Sequence, residues 1–187
     1  EREKSSTTHA TEIGGFGVAA PEELLLIEEV ALVRQTCDWA SGQLDDDAVA
    51  DYFDRQVERG RRPAEFGRVW IHTHPGSCPR PSATDEATFV RVFGRCEWAV
   101  MAIVAAGGAA YARLAFGVGP GGSWEIPVDV DYEMPFPAAD PSAWQAEYEA
   151  AVRQAPEEVD WEERWTLEEG ALDELRIERF ARQSALV

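Results

Sequence analysis

The chain has 187 residues, of which 45% are hydrophobic, and this is enough for one sizeable buried core with some appended structure. Its formal net charge of -18 at pH 7 argues against a nucleic-acid partner and against adsorption to an anionic membrane, because both need clustered positive charge. No apolar run reaches the roughly 20 residues of a membrane span, and the polar start EREKSSTTHA lacks the apolar region of a signal peptide.

The beginning of the chain predicts a tail and two extended segments. Residues 1–11 are polar and predict a flexible N-terminal tail. Residues 11–20 predict a short strand that is thinned by glycines. Residues 23–35 contain enough Leu, Ile and Val for a second strand, although the leucines and glutamates of this stretch would suit a helix equally well.

A clearer helix is predicted over residues 41–60. The acidic run that begins at Asp45 supplies an N-cap and favourable negative charge for the first turn, and Gly60 can end the helix. Four side chains would form its apolar stripe, namely Val49, Tyr52, Phe53 and Val57.

The middle of the chain predicts a strand, a helix and a hairpin. Residues 67–74 (GRVWIHTH) read as an apolar strand, and residues 81–95 predict a helix. Residues 97–116 predict two strands joined through Gly107 and Gly108, because a Gly-Gly pair between two apolar runs is a strong hairpin signal.

The last third predicts a strand, a helix and an extension. Residues 123–132 predict a final strand, with Pro127 placing it at a sheet edge. Residues 142–154 predict a helix, and the acidic, Trp-rich remainder predicts an extension. No internal repeat is found. The pattern indicates an α/β (α+β) protein whose central sheet contains at least one antiparallel hairpin.

Two of the three histidines lie at the end of one predicted strand. Side chains of an extended strand repeat every two residues, so His72 and His74 point to the same face. Two imidazoles at this spacing can reach a single zinc ion, which then needs a third ligand. Ser82 and Asp85, at the start of the next predicted helix, form an S-x-x-D pattern that by itself favours a capping box. Because a helix start that faces a strand end also brings its carboxylate beside the histidines, the capping role and a metal role can coexist.

The cysteines have no zinc-finger or redox spacing. Cys37, Cys78 and Cys96 therefore predict reduced thiols in a cytoplasmic protein. Cys37 and Cys96 lie among apolar residues. Cys78 follows the histidines and could approach a metal ion, although prolines restrict its loop.

The sequence H-T-H-P, followed after seven residues by S-x-x-D, resembles the signature of the JAMM (MPN+) metalloproteases. That family also has an upstream glutamate before a Gly-containing apolar strand, and the segment EIGGFG (residues 12–17) is similar to it. The resemblance covers roughly residues 11–132. It implies a mixed β-sheet flanked by helices, of the cytidine deaminase-like kind, in a catalytic domain over residues 12–135, followed by an acidic, helical extension over residues 136–187.

The resemblance also implies roles for five residues. His72, His74 and Asp85 would bind one zinc ion per chain, with the fourth position left to water. Glu12 would take a proton from that water and pass it to the leaving amine. Ser82 would donate a hydrogen bond to the oxyanion or hold the water. The residues alone do not select Glu12 over the other nearby glutamates, which are Glu22, Glu23, Glu28 and Glu29.

The end of the chain supports two interpretations. Residues 172–187 predict an amphipathic helix whose apolar side chains turn to the core, namely Leu172, Leu175, Ile177 and Phe180. Alternatively, the segment ERFARQ (residues 178–183) resembles the stretch that leads into ubiquitin-activating (ThiF-like) adenylating domains, so that a fused or associated activating domain would be a partner.

The JAMM-like signature, taken with the ERFARQ segment, predicts a zinc-dependent peptidase or isopeptidase. It would cleave after the C-terminus of a ubiquitin-like protein in a bacterial ubiquitin-like pathway. Two alternatives stay open, a peptidase that processes sulfur-carrier proteins and a noncatalytic MPN scaffold that only binds partners.

Overall fold

The computed structural model describes residues 11–38, 42–133 and 138–155. The strands are β1 (Gly14–Ala20), β2 (Glu23–Leu32), β3 (Gln35–Cys37), β4 (Gly42–Leu44), β5 (Val69–His74), β6 (Trp98–Ala105), β7 (Ala110–Phe116), β8 (Gly122–Ile126) and β9 (Val152–Gln154). The helices are α1 (Asp46–Glu58), α2 (Pro63–Phe66), α3 (Ala83–Phe93) and α4 (Pro141–Ala151).

A six-stranded mixed sheet organises the molecule, in the order β2-β1-β5-β6-β7-β8. The central pair β5–β6 is parallel, and the neighbouring pairs on both sides are antiparallel. The predicted α+β class with a mixed sheet between helices is therefore confirmed. The strand alternative for residues 23–35 is also confirmed, because β2 pairs along β1 at the sheet edge.

The main core lies on the face of the sheet that α1, α2 and α3 cover. Phe16 of β1 stacks on Tyr52 of α1 with 5.1 Å between ring centroids, and Phe66 is fully buried beside them. The predicted place of Val57 in the apolar stripe of α1 is wrong, because Val57 is 56% exposed. The buried face of this helix follows Ala48, Tyr52 and Gln56 instead, which turns position 57 outward.

A smaller sheet, in the order β4-β3-β9, accounts for most of the errors in the predicted element boundaries. The helix predicted from residue 41 begins at Asp46, because Asp45 is its N-cap and the preceding residues form β4. The helix predicted over residues 142–154 ends at Ala151, where the chain enters β9 and pairs with β3 in parallel.

Two further boundaries differ from prediction. Strand β8 ends at Ile126 rather than at residue 132, since Pro127 has no backbone N–H with which to continue the ladder. The single-turn helix α2, with Pro63 at its start, was not predicted. The Gly107-Gly108 hairpin is confirmed, and Gly107 adopts a φ of 88° that favours glycine.

The tail predicted over residues 1–11, apart from Thr11, and the amphipathic segment 172–187 lie outside the described residues. Within the described part, no helix combines the length and the apolar character that a bilayer-spanning helix requires.

Candidate metal centre

The two strand histidines lie at the centre of the large sheet. β5 is paired on one side with β1 and on the other with β6, so its backbone is held along both edges. His72 is 4% exposed, and the rings of His72 and His74 lie 5.2 Å apart between centroids. The same-face arrangement expected from the H-x-H spacing therefore holds at the end of this strand.

The first turn of α3 brings a carboxylate to the histidines. Ser82 is the N-cap, and its Oγ accepts a hydrogen bond from the Asp85 backbone N–H at 3.1 Å. In return, Asp85 Oδ2 accepts from the Ser82 backbone N–H at 2.7 Å and from the Ser82 hydroxyl at 2.8 Å. The capping box is confirmed, and it fixes a buried aspartate side chain against the end of β5.

The side-chain atoms of these three residues converge on one small region. His72 Nε2 lies 3.2 Å from Asp85 Oδ1, and His74 Nε2 lies 3.3 Å from Asp85 Oδ2. One ligand atom from each residue can be chosen so that all lie within 4.8 Å of one another. Ligands about 2.0–2.2 Å from a tetrahedral zinc ion are about 3.4 Å apart. The buried His-His-Asp triad can thus hold a metal ion.

Unsatisfied nitrogen atoms point to the same conclusion. Within the described residues, four buried side-chain atoms have no hydrogen-bond partner, and three of them are His72 Nδ1, His72 Nε2 and His74 Nε2. The contacts of the two Nε2 atoms with Asp85 are short but do not have hydrogen-bond geometry. An unsatisfied buried polar group costs about 1–3 kcal/mol. A cation bound by the two Nε2 atoms removes that cost for both of them.

The tautomer of His74 is fixed by the loop that follows it. His74 Nδ1 lies 2.9 Å from the carbonyl oxygen of Cys78, which can only accept a hydrogen bond. Nδ1 therefore carries a proton, and Nε2 is the ring nitrogen that faces Asp85 and can bind a metal ion. Cys78 is exposed, and it contributes this carbonyl to the site, while its thiol is not part of the triad.

The charge of Asp85 suits a cation. Burial alone would raise the pKa of Asp85, but the adjacent His72 imidazole and the hydrogen bonds from Ser82 outweigh it and lower the pKa to about 2. The carboxylate is therefore ionised at neutral pH although it is buried.

An aromatic layer sets the orientation of His72. Its ring stacks on Trp70 at 4.3 Å between centroids with an interplanar angle of 27°. Trp70 in turn faces Phe89 and Phe93 of α3 at 6.5 and 6.4 Å. This packing restricts rotation of the imidazole and excludes water from one side of the triad.

Glu12 reaches the same region from the residues just before β1. Its Oε1 lies 3.7 Å from His74 Nε2, and its side chain is 14% exposed. The other glutamates that the sequence left open are all exposed, on β2 or in the turn before it, namely Glu22, Glu23, Glu28 and Glu29. The structure thus places Glu12 beside His74, and its role as the base stays a prediction.

The Ser82 hydroxyl is engaged with Asp85, because it donates a hydrogen bond to Asp85 Oδ2. Its contact with a reacting group stays a prediction. Sequence analysis missed Thr73, whose Oγ1 accepts from the Ile13 backbone N–H at 3.1 Å, and Gln35, a buried amide beside Gly14. Gln35 stands between the exposed residues Arg34 and Thr36, so no local pattern marks it as buried.

No known family model and no curated protein matches this chain. The grounds for a functional assignment are therefore the site itself and the signature that its residues form.

Proposed function

We propose that the protein is a zinc-dependent peptidase of the JAMM (MPN+) type, with the fold of that family over residues 12–135. The observation that carries the proposal is the convergence of His72 Nε2, His74 Nε2 and the Asp85 carboxylate beside Glu12. Capping explains Ser82 and Asp85, but folding does not require two unsatisfied imidazoles and a second carboxylate at the same place.

The donor set suits zinc. Two imidazole nitrogens and one carboxylate oxygen match the three protein ligands of catalytic zinc sites, and we expect one ion per chain. When bound, zinc would polarise the scissile carbonyl group and lower the pKa of a water ligand toward neutrality.

The protein's own groups would orient the reaction and move the proton. The Glu12 carboxylate, close to His74, accepts a proton from the attacking water and returns it to the leaving amine. Ser82 holds Asp85 through two hydrogen bonds and so fixes the ligand that comes from α3. Trp70 keeps the His72 ring in its plane.

The substrate class in this proposal comes from the resemblance. The bond cleaved would be a peptide or isopeptide bond after the C-terminus of a ubiquitin-like protein, in a bacterial cytoplasmic pathway. The segment ERFARQ adds a fused or associated adenylating domain as a proposed partner.

The metal assignment is tested with Asp85→Ala. We expect the wild-type protein to contain one zinc per chain and the variant to lose most of it, measured by elemental analysis. Circular dichroism should show that the sheet is retained, because Asp85 lies outside the apolar core clusters. Asp51→Ala removes an equal charge from an exposed position on α1 and should keep its zinc. Full zinc occupancy in Asp85→Ala would contradict the assignment.

The activity is tested by incubation with linear and lysine-linked fusions of candidate ubiquitin-like proteins, read by mass spectrometry. We expect a cut after the ubiquitin-like C-terminus that a chelator abolishes and added zinc restores. Release of a single amino acid from a sulfur-carrier protein would favour the processing peptidase. Tight binding of the fusions without any cut by the zinc-loaded protein would favour the noncatalytic scaffold.

A further inference from the structure

The side chain of Gln35 is an unusual member of the core. It is 1% exposed, although it belongs to the three-residue strand β3. Its Oε1 accepts from the Gly14 backbone N–H at 2.7 Å, and its Nε2 donates to the Gly14 carbonyl at 2.6 Å. Nε2 also donates to the Val33 carbonyl at 2.9 Å. The carboxamide therefore pairs with Gly14 as the peptide group of a neighbouring strand would.

This pairing occurs where the ladder between β1 and β2 stops. The last residue pair of that ladder is Gly15 with Leu32, and Gly14 lies one residue beyond it. On its other edge, Gly14 pairs with the metal-site residue His72. The Gln35 side chain thus replaces the missing strand and holds Gly14 against the strand of the histidines.

Thr73 and Asp38 hold the two preceding residues. Ile13 donates its backbone N–H to Thr73 Oγ1 at 3.1 Å and accepts from the Thr73 backbone N–H at 2.9 Å. The Glu12 backbone N–H donates to the Asp38 carbonyl at 3.0 Å. Each backbone unit from residue 12 to residue 14 is therefore bonded to β5 or to the region of β3.

We propose that Gln35 and Thr73 are positioning residues that hold the backbone of residues 12–14 so that the Glu12 carboxylate meets the triad. The inference rests on the proposed function, in which Glu12 is the base. A glutamate side chain has three rotatable bonds, so its reach toward His74 depends on where its backbone is held. Displacement of a catalytic group by about 1 Å can cost about 10²-fold in rate. Neither positioning residue needs to touch the substrate.

The test uses variants that keep shape and lose hydrogen bonds. Gln35→Met keeps the length of the side chain, and Thr73→Val keeps its volume. Thr73→Ser retains the hydroxyl, so it should keep the activity that Thr73→Val loses. The matched controls are Gln43→Met and Thr36→Val, two exposed positions in β4 and β3.

We expect Gln35→Met and Thr73→Val to lower kcat by about 10–100-fold, with KM and zinc content close to wild type. Amide hydrogen exchange should become faster at Gly14 in Gln35→Met and at Ile13 in Thr73→Val. Thr73→Ser and both controls should behave as wild type. In a Glu12→Gln background, Gln35→Met should add almost no further loss, because it acts through Glu12.

Several outcomes would overturn the inference. These are an unchanged kcat in Gln35→Met and Thr73→Val, a loss that adds in full to that of Glu12→Gln, or a loss that follows zinc content. If Gln35→Met does not fold, the contrast between Thr73→Val and Thr73→Ser decides. If the wild-type protein cleaves no fusion at all, the proposed function is rejected. The positioning role is rejected separately if the rate of amide hydrogen exchange at Gly14 is the same in Gln35→Met as in the wild type.

Discussion

The carboxylate of Asp85 serves both a helix and a candidate metal site. One oxygen accepts two hydrogen bonds from Ser82, and the other lies 3.2 Å from His72 Nε2. Because the helix start and the ligand share one side chain, a change at Asp85 affects both. The S-x-x-D pattern was therefore ambiguous in the sequence for a physical reason, since each of the two roles alone explains it.

Among single residues, the sharpest prediction concerns Glu12. Glu12→Gln preserves the shape of the side chain but cannot accept a proton, so zinc content should stay at the wild-type level. The rate of peptide hydrolysis should fall by about 10²–10⁴-fold, the range expected for loss of a general base. Steady-state kinetics with elemental analysis of the same sample checks both statements.

Glu28→Gln is the matched control, since Glu28 is exposed on β2. A near-normal rate in Glu12→Gln, together with an inactive variant at Glu28 or Glu29, would show that the base lies elsewhere.

Among the secondary-structure elements, β5 and α3 could be predicted and the small sheet could not. The apolar run that ends in His72 and the capping box at Ser82 are local patterns that the structure confirms. β3, β4 and β9 have three residues each, which is too short for a periodic pattern. They exist because they pair with one another, and the pairing of β3 with the distant β9 leaves no local signal. Gln35 and its contact with Gly14 were missed for the same reason.

The start of helix α3 gives a prediction about the stability of that helix and about metal affinity. Ser82→Ala removes the hydroxyl that accepts from the Asp85 backbone N–H and donates to Asp85 Oδ2. It keeps the backbone hydrogen bond to Oδ2 and all three proposed ligands. We expect the free energy of unfolding of the zinc-free protein to fall by about 1 kcal/mol. Zinc affinity should fall by about 10-fold or more, because Asp85 is less well oriented. Chemical denaturation and competition with a zinc-binding dye measure the two effects.

Asp140 provides a comparison, since it is the N-cap of α4, away from the triad. Asp140→Ala should lower the free energy of unfolding by a similar or smaller amount and leave zinc affinity unchanged. Equal zinc affinity in Ser82→Ala and the wild type would argue that capping is the sole role of Ser82.

In the molecule as a whole, the candidate site lies where the two sheets meet. The large sheet supplies His72 and His74, and the small sheet supplies Gln35, which bonds the backbone next to Glu12. α4 joins the two regions through a hydrogen bond from the Leu32 backbone N–H to Glu147 at 3.2 Å. β9 pairs with β3 in parallel, with Val152 opposite Gln35, so α4 and β9 are connected to the backbone at the start of β1.

Deletion of residues 170–187 tests the two interpretations of the chain end. If this segment belongs with an adenylating domain, the truncated protein should keep its melting temperature, zinc content and peptidase activity. If the segment is a terminal helix of this domain, the loss of buried apolar side chains should cost roughly 1.5–3 kcal/mol for each large residue. Thermal denaturation distinguishes the two, and a large drop in Tm would reject the fusion hypothesis. The deletion leaves β9 intact, so either result concerns the removed segment alone.

The parallel pairing of β3 with β9 has a consequence for the order of folding. The three proposed ligands lie within one short stretch, from His72 to Asp85, whereas the neighbouring bond between Leu32 and Glu147 joins residues 115 positions apart. Closing that long loop costs about 2 kcal/mol more conformational entropy than closing the short one. Long-range pairing of β-strands is also intrinsically slow, because the loop-closure entropy is lost before the contacts form.

We therefore expect the protein to acquire its metal before it acquires its activity. After dilution from denaturant into zinc, quenching of a free-zinc dye should report ion uptake in an early phase. Peptide hydrolysis should follow in a slower phase, when β9 docks on β3 and residues 12–14 are held in place. A single rate shared by both signals would show that the ligands and the base assemble in one step.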